Sequence, residues 1–400
     1  MTMERIKSVL ITSSLYKPHF GGIETVIDKL TRQYQEQGVN VQVFTKQYPY
    51  ELSEFERIDA IPIHRIRRPI SEADFIASTE WIEANERQLR SDVVHIVGVR
   101  RPLPLHALMM SRLWGVPFVA SFAGGDLPNP DEPEACKVWR EGVGIVPESL
   151  KQADWLTTFS KSTRRLALET IPDLSDIDII YAGIELNEIS KVEPYTPGFE
   201  YFVTARRLIH AKGIDVLIKA YHKAKNDLNN AKLLIVGEGP EKGNLTKLIA
   251  ELGLEEDIYL TGQASPTEVF SYMKGSIGHL CPSRSEGGGI VNFEAQAAGC
   301  IAIGSNVGGI PEYIEDGVTG LLFDSEDIDG LARTLIRVRK NQSEMAAIKQ
   351  QAGIKIQGFD WKSIANRYLL GYVDHAEAAH ARTFTPWSDL TYTMWRRLTS

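Results

Sequence analysis

The chain contains little cysteine and no long apolar segment, and both absences narrow the protein classes to consider. Its three cysteines, Cys136, Cys281 and Cys300, are too few and too widely spaced for a disulfide framework or a cysteine-based metal site. No segment approaches the roughly 20 apolar residues of a membrane-spanning helix. The first apolar run, within IKSVLITSS, has the length of a strand rather than of a signal-peptide core. We therefore predict a cytoplasmic protein and leave open a peripheral contact with the inner face of the membrane.

An excess of positive charge is also missing. The formal net charge is −8, whereas a protein that binds nucleic acid generally needs a basic surface. The chain does contain 43% hydrophobic and 24% charged residues, which is ordinary for a globular protein. Its 400 residues suit two domains. We therefore expect a two-domain globular protein that does not bind nucleic acid.

Strand and helix patterns alternate along the first half of the chain. IETVIDKLTRQYQEQG predicts a helix because apolar residues recur at helical spacing from Ile23 to Leu30, and Gly38 ends the pattern. Strands are predicted for IKSVLITSS, VNVQVFTKQ, DVVHIVG, PFVASFAGG and WLTTFS. This β–α–β order is typical of a doubly wound parallel sheet.

The alternation stops at residues 191–200, KVEPYTPGFE, where two prolines and a glycine predict a linker. It then restarts, with strands predicted for EYFVTAR, AKLLIVGEG, DIYLTGQ, IGHLCPS and CIAIGSN. We therefore predict two α/β, Rossmann-like domains, residues 1–190 and 201–377, that face each other across a cleft. A C-terminal helix in 378–400 is predicted to return to the first domain. In open α/β sheets, ligands bind at the carboxyl ends of the strands.

The segment SRSEGGGIVNFEAQAAG, residues 283–299, places three glycines between Glu286 and Glu294. Glycine lets the backbone approach a ligand closely, and the N–H groups at a helix start favour phosphate. Gly287–Gly289, with Ile290 and Val291 at the start of a predicted helix, therefore form a candidate cradle for a diphosphate or a sugar. Carboxylates accept hydrogen bonds from hydroxyl groups, so we assign Glu294 to a ribose and Glu286 to a sugar. The alternative is a solvated loop with ordinary capping acids.

Other segments of the chain fit the same ligand. Arginine and lysine side chains after the first strand of the second half could neutralise a diphosphate. Glycine pairs in two turns could approach it with their backbones. The cations are Arg206, Arg207 and Lys212, and the glycine pairs are Gly308–Gly309 and Gly21–Gly22.

RLIHAKG, SEGGGIVNFEAQAAG and VGGIPEYIEDGVTGLLF together resemble the retaining family 4 glycosyltransferases of the GT-B fold. The resemblance covers essentially the whole chain, and its most specific part is the Glu-x7-Glu motif, Glu286 to Glu294. It implies transfer of a hexosyl or N-acetylhexosaminyl group from a nucleoside-diphosphate sugar, UDP- or GDP-linked, to an acceptor hydroxyl. It also implies that no metal or other cofactor is needed. The acceptor, a small molecule, glycan or glycolipid, belongs to the first domain and the donor to the second.

The resemblance also implies roles for single residues. Glu294 binds the ribose and Glu286 contacts the transferred sugar, while Arg207 and Lys212 bind the diphosphate and stabilise it as it leaves. A departing phosphate oxygen can take the acceptor proton, so that no protein nucleophile is required. The main catalytic contribution is then electrostatic stabilisation of the leaving group.

In the first domain, the resemblance is less complete. Gly21 and Gly22 match glycines that line the phosphate side of the cleft. In SFAGGD, however, Ala123 stands where the family often has a histidine, while Asp126 is retained and counted among the catalytic residues. Gly288 stands where the family usually has an aromatic residue. The resemblance therefore assigns no histidine of this segment to the hydroxyls of the transferred sugar.

Two alternative functions remain after this comparison. One is a nucleotide-sugar epimerase on the same fold, although no convincing acid/base set is visible in the sequence. The other is a nucleotide-sugar-binding protein without turnover, which Ala123 motivates. Release of nucleoside diphosphate that depends on donor and acceptor would separate catalysis from binding alone.

Several weaker signals have an ordinary interpretation beside the functional one. The basic runs HRIRRP and GVRRP could face a phosphorylated acceptor or an anionic lipid, or simply water. The acidic loop with Asp131, Glu132 and Glu134 could favour an amine-bearing acceptor, or be solvated surface. The C-terminal segment PWSDLTYTMWRRLTS could be an interfacial anchor, or a helix that packs back on the protein. The histidines have no zinc-site spacing.

Overall fold

The computed structural model of the protein describes residues 6–380, except residues 20, 68–71, 129–135, 138 and 141–143. The chain divides into two compact units. The first comprises the described residues up to Gly183 and those from Trp361 onward, and the second comprises Ile184–Asp360. The boundaries predicted from the sequence, at 191–200 and at 378, lie C-terminal to these two changes of unit.

Eight strands form the central sheet of the first unit. They are β1 (Ser8–Ser13), β2 (Asn40–Lys46), β3 (Phe55–Ile58), β4 (Ile61–Ile66), β5 (Val93–Val97), β6 (Phe118–Phe122), β7 (Trp155–Thr158) and β8 (Ile177–Ile179). Their spatial order is β3-β4-β2-β1-β5-β6-β7-β8. Every neighbouring pair is parallel except β3 and β4. All residues of β5 and β6 are buried, as expected for central parallel strands covered on both faces.

Helices supply the crossover connections that parallel neighbours require. In the first unit they are Gly22–Glu36, Glu72–Ala84, Glu86–Leu89, Leu103–Trp114, Ile145–Leu150, Lys161–Thr170 and Trp361–His380, with a 3₁₀ turn at Gly124–Asp126. The β3–β4 hairpin and the helix Glu72–Ala84 have no counterpart in the sequence prediction.

The C-terminal helix Trp361–His380 is joined to the first unit by a buried hydrogen-bond network. The Tyr372 hydroxyl lies 2.9 Å from that of Tyr34 and 2.7 Å from Nδ1 of His95. Nε2 of His95 lies 2.7 Å from Oγ of Ser121 on β6. Burial lowers the pKa of His95 to about 3, so the ring is neutral and can donate one bond and accept the other. His95 is therefore a satisfied core residue rather than a group facing a ligand.

We expect Tyr372→Phe to destabilise the first unit by about 1–3 kcal/mol, because it leaves buried polar atoms of His95 and Tyr34 without this partner. The shift of the thermal unfolding midpoint measures this effect. Tyr48→Phe is the matched control, since Tyr48 is 56% exposed and its hydroxyl can bond to water. Equal midpoints for the two variants would show that the network does not hold the helix.

Six strands form the sheet of the second unit. They are β9 (Tyr201–Ala205), β10 (Lys232–Val236), β11 (Ile258–Gly262), β12 (Gly278–Cys281), β13 (Ile301–Ser305) and β14 (Leu321–Phe323). Their order is β11-β10-β9-β12-β13-β14, and all neighbours are parallel. Phe202 packs in one buried cluster, and Tyr201 and Val203 pack in another. The alternation places hydrophobic core on both faces of this sheet.

The helices of the second unit follow the same alternation. They are Leu186–Lys191, Ile214–Ala224, Lys242–Glu251, Pro266–Gly275, Val291–Ala297, Ile310–Tyr313, Ile328–Lys340 and Gln342–Lys355, with 3₁₀ turns at His210–Lys212, Lys225–Asp227 and Ile356–Gly358. Among the helices that the structure describes, none combines the length and apolar character needed to cross a membrane.

Candidate active site

The sheet of the second unit has one topological switch point, between β9 and β12. The chain runs outward from β9 through β10 to β11, and then returns to the other side of β9 as β12. The loops after β9 and β12 therefore diverge, and in open α/β sheets this is where a ligand crevice forms. These two loops, 206–213 and 282–290, carry Lys212 and Glu286, so the fold brings together residues 74 positions apart.

Main-chain and side-chain bonds join the two loops. The backbone N–H groups of Arg284 and Ser285 donate to the carbonyl of Ala211, at 2.9 and 3.3 Å. The Arg284 guanidinium binds the Asp215 carboxylate through two nitrogens, at 2.8 and 2.9 Å. Gly213 has φ +62, and a Cβ there would collide with the carbonyl oxygen of Pro282. Only glycine therefore allows the loops to approach this closely.

The carboxylate of Glu286 lies between two cations. Arg206 forms an ion pair with its Oε2, and Nζ of Lys212 lies 3.1 Å from the same oxygen. Oγ of Ser283 donates to that oxygen as well, at 3.3 Å. The three donors thus converge on one oxygen, and within the described residues no hydrogen bond is found to Oε1. One oxygen is anchored by the protein, and the other can accept a bond from a ligand hydroxyl.

The cations also determine the charge of this carboxylate. Burial alone would raise the pKa of Glu286, because the side chain is only 14% exposed. The positive charges of Arg206 and Lys212, and their hydrogen bonds, outweigh burial and lower the pKa to about 2. Glu286 is therefore ionised at neutral pH and acts as an acceptor of hydrogen bonds rather than as a general acid.

Arg206 and Arg207 have different environments although they are adjacent. Arg206 is 6% exposed on its side chain, and Nη1 donates to the Cys281 sulfur at 2.6 Å. Arg207, to which the resemblance assigns the diphosphate, has an exposed side chain in the same loop. From the sequence, Arg206 was predicted only as one of three cations that could neutralise a diphosphate. The structure brings Arg206 to Glu286 together with Lys212.

The glycine-rich loop is supported by the turn at Gly308–Gly309. The N–H of Gly309 donates to the carbonyl of Glu286 at 2.9 Å. Gly308 has φ +53, and a Cβ there would collide with that same carbonyl. The backbone of residue 286 is therefore held in place by a neighbouring turn that requires glycine. The two glycine segments singled out in the sequence, 287–289 and 308–309, form one structure.

The second acid of the motif, Glu294, lies on the helix Val291–Ala297 and is partly buried. Asn292 Nδ2 donates to the carbonyl of Gly289 at 2.9 Å and ties the loop to this helix. Gly287, Gly288 and Ile290 are partly exposed, whereas Gly289 is buried. The residues predicted to bind the donor in the second unit therefore lie in one continuous loop and helix start.

The sheet of the first unit has its own switch point, between β1 and β5, because the chain passes from β1 to β2 and later returns as β5. Gly21 and Gly22 lie in the loop after β1 and begin the helix Gly22–Glu36. A Cβ at Gly21 would lie 2.5 Å from Oε2 of Glu24. A carboxylate thus lies beside this helix start, where its charge is stabilised by the helix dipole.

Asp126 binds the chain's own loops in the first unit. Its carboxylate accepts hydrogen bonds from the N–H groups of Val99, at 3.0 Å, and Ala123, at 2.9 Å. Nε of Arg100 adds a third bond at 3.1 Å. Burial raises the pKa of Asp126, although these three donors act in the opposite direction. The side chain is 0% exposed, so these contacts favour a positioning role over direct contact with substrate.

Some of the predicted features lie outside the described residues. They are the acidic residues Asp131, Glu132 and Glu134, and the C-terminal segment 386–400. Within the described ranges, no cluster of His, Cys, Asp and Glu could hold a metal ion.

Two family models match the chain, and together they span most of it. Residues 187–354 match the model "Glycosyl transferases group 1", and residues 20–188 match "Glycosyltransferase Family 4". The chain belongs to the family 4 glycosyltransferases. The family that the sequence motifs predicted is therefore confirmed.

Curated relatives and solved structures agree with this assignment. A D-inositol 3-phosphate glycosyltransferase of Frankia alni is 25% identical, with 88% of this chain and 94% of the relative covered. The N-acetyl-alpha-D-glucosaminyl L-malate synthase of Bacillus anthracis is also 25% identical, over 89% and 95%. Anabaena HepE, solved with UDP and glucose, superposes with a TM-score of 0.71 at 18% identity, over 92% and 100%.

The fold prediction is likewise confirmed: this glycosyltransferase consists of two Rossmann-like α/β units of the GT-B type. The helix that returns to the first unit is Trp361–His380, which begins well before the predicted segment 378–400, and residues 381–400 lie outside the described part of the chain. The chain matches these glycosyltransferases over nearly their whole length, so the epimerase alternative is not favoured.

Proposed function

We propose that this glycosyltransferase moves a hexosyl or N-acetylhexosaminyl group from a UDP- or GDP-sugar to an acceptor hydroxyl, with retention of the anomeric configuration. The Arg206–Glu286–Lys212 cluster at the switch point of the second unit carries this proposal. A nucleotide sugar presents hydroxyl groups and phosphates. The cluster offers an ionised carboxylate that accepts hydrogen bonds from hydroxyls and a lysine that binds phosphate.

The proposed roles follow from these groups. Oε1 of Glu286 accepts a hydrogen bond from a hydroxyl of the transferred sugar, while Glu294 accepts bonds from the ribose. Lys212 and the exposed Arg207 neutralise the diphosphate. Backbone N–H groups of the loop 287–291, where all residues except Gly289 are partly exposed, add further donors. The UDP bound by Anabaena HepE supports a uridine donor as the first candidate.

In the proposed reaction, the bond between the anomeric carbon and the diphosphate oxygen breaks, and the acceptor oxygen attacks from the same face. The departing phosphate oxygen takes the acceptor proton, so the products are a glycoside and a nucleoside diphosphate. Cations at the diphosphate stabilise the charge that develops as it leaves. The step as written uses no protein nucleophile and no metal.

The proposal is tested by incubating the protein with UDP- and GDP-sugars and a panel of hydroxyl acceptors, and measuring nucleoside diphosphate and product anomer. We expect release that requires both donor and acceptor, and an α-linked product from an α-linked donor. Donor binding without release at any acceptor would favour the alternative, a nucleotide-sugar-binding protein without turnover. An inverted product would remove the retaining mechanism.

We expect Glu294→Ala to weaken binding of the preferred nucleoside diphosphate by roughly 10- to 100-fold, because charged hydrogen bonds contribute about 1.5–3 kcal/mol each. Calorimetric titration of the nucleotide measures the loss. Glu255→Ala is the control, because Glu255 is exposed on the same unit. Equal affinity in both variants would show that Glu294 does not bind the nucleotide.

A further inference from the structure

At the switch point of the first unit, where open α/β sheets form a ligand crevice, the orientation of one arginine is determined by its neighbours. Arg100 lies in the loop after β5, and Oγ of Ser14, in the loop after β1, donates to its carbonyl at 3.4 Å. A Cβ at Gly98 would lie 2.9 Å from Ile23 and 3.7 Å from Asp126. The two diverging loops, the start of the helix Gly22–Glu36 and Asp126 therefore meet around Arg100.

Two acceptors hold the guanidinium of Arg100. Nε donates to Oδ1 of Asp126 at 3.1 Å, and Nη2 donates to the carbonyl of Gly125 at 3.1 Å. For the third nitrogen, Nη1, no partner is found in the part of the chain that the structure describes. The Arg100 side chain is 36% exposed while that of Asp126 is 0% exposed. A ligand that approaches therefore meets the guanidinium, with the carboxylate behind it.

We infer that Arg100 binds an anionic group, a phosphate or a carboxylate, on the molecule that occupies this crevice. A planar guanidinium held by a buried carboxylate is already oriented, so little side-chain entropy is lost when it binds an anion. Charge-assisted bonds of this kind are roughly twice as strong as neutral ones.

This inference rests on the proposed function for the identity of the occupant, which is then the acceptor. It specifies the acceptor class as a hydroxyl compound that carries a phosphate or a carboxylate. The alternative is that Arg100 serves only to neutralise Asp126. In that case its third nitrogen, Nη1, would contribute nothing to ligand binding.

The test compares glycerol 3-phosphate, glycerate and glycerol, three small hydroxyl compounds that differ in their anionic group. Their binding to the full-length protein is measured by ligand-observed NMR titration. We expect the wild type to bind at least one of the two anions at least 10-fold more tightly than glycerol. Whether the phosphate or the carboxylate is preferred distinguishes the two kinds of acceptor.

Arg100→Met should reduce that preference by roughly 10- to 100-fold, whereas Arg100→Lys, which keeps the charge, should retain part of it. Arg90→Met is the matched control, because Arg90 is 59% exposed on the same unit and, within the described residues, pairs with the carboxylate of Glu86 alone, at 3.4 Å. Thermal unfolding of each variant shows whether the fold is intact. If Arg100→Met does not fold, the test rests on Arg100→Lys, which should show a weaker preference for anions than the wild type does.

The inference is overturned if the wild type binds all three compounds equally, or if Arg100→Met and Arg90→Met show the same preference for anions. Failure of the proposed function has a different signature. In that case no nucleoside diphosphate is released from any donor, while the binding of anions still depends on Arg100.

Discussion

Replacing Lys212 with alanine is expected to lower kcat by about 100- to 1,000-fold, which is the usual loss when one electrostatic contact to a developing charge is removed. Nζ of Lys212 lies 3.1 Å from Glu286 at the carboxyl edge of the second sheet. The side chain is 17% exposed, so it can exchange this partner for a diphosphate. Stabilisation of the leaving group increases as the glycosidic bond breaks, and its loss therefore appears mainly in kcat rather than in KM.

The measurement is steady-state release of nucleoside diphosphate by Lys212→Ala and by Lys223→Ala. Lys223 is a suitable control because it is 50% exposed and pairs with Asp329 on the surface of the same unit. Glu286 keeps Arg206 and Ser283 as partners in Lys212→Ala, so the fold should persist. A variant that retains wild-type kcat would show that Lys212 does not act on the leaving group.

Arg206→Met is expected to destabilise the second unit by about 3 kcal/mol, because it removes one partner of a buried ion pair and leaves the other. Arg206 is 6% and Glu286 14% exposed, so water compensates little for the lost charge. The same change should raise the pKa of Glu286 from its value of about 2. Burial raises this pKa, and of the two cations that lower it, Lys212 alone remains in the variant. The rate of the reaction should also fall, because the Glu286 carboxylate loses the ion pair with Arg206 that holds it in place.

The sign of the pH dependence of folding stability follows from the pKa of Glu286. Glu286 has a folded-state pKa of about 2, below the roughly 4.3 of an unfolded glutamate. It therefore adds stability above pH ~4.3, and this contribution is lost as the pH falls towards 2. In Arg206→Met the folded-state pKa is higher, so the stability gap to the wild type should be largest near neutral pH and narrow on acidification.

Urea unfolding at pH 7 and at pH 4 measures this gap. Arg333→Met is the control, because Arg333 is 72% exposed on the same unit and should change stability by less than about 0.5 kcal/mol. Arg206→Lys keeps the positive charge and should recover part of the loss. A gap that is small, or that widens at low pH, would exclude the ion pair as the reason that Glu286 stays ionised.

Much of the second unit could be predicted from the sequence. The apolar runs of β9, β10, β12 and β13 have strand length, and the glycines and acids of residues 283–299 form a local pattern. Lys212 and Glu286 could be assigned to one site because both follow strands of the same parallel sheet. The hairpin β3–β4 was missed, since β3 is short and partly exposed, and neither strand carries a continuous apolar run.

Adjacent arginines could not be distinguished in the same way. Arg206 and Arg207 have the same chemistry, and only the course of the chain after β9 decides which one turns inward. The N–H of Arg206 donates to the carbonyl of Val236 on β10 at 2.9 Å, which continues the ladder by one residue. Its side chain is thereby directed to Cys281 and Glu286, whereas that of Arg207 is exposed.

The sequence by itself determined the two α/β units, the glycosyltransferase family and the Glu-x7-Glu segment, because these depend on local periodicity and on short motifs. The tertiary structure alone decided which charges meet. It buried Asp126 behind Arg100, and it paired Glu286 with Arg206 and Lys212. Such pairings depend on contacts between residues far apart in the chain, where burial strengthens each interaction between charges.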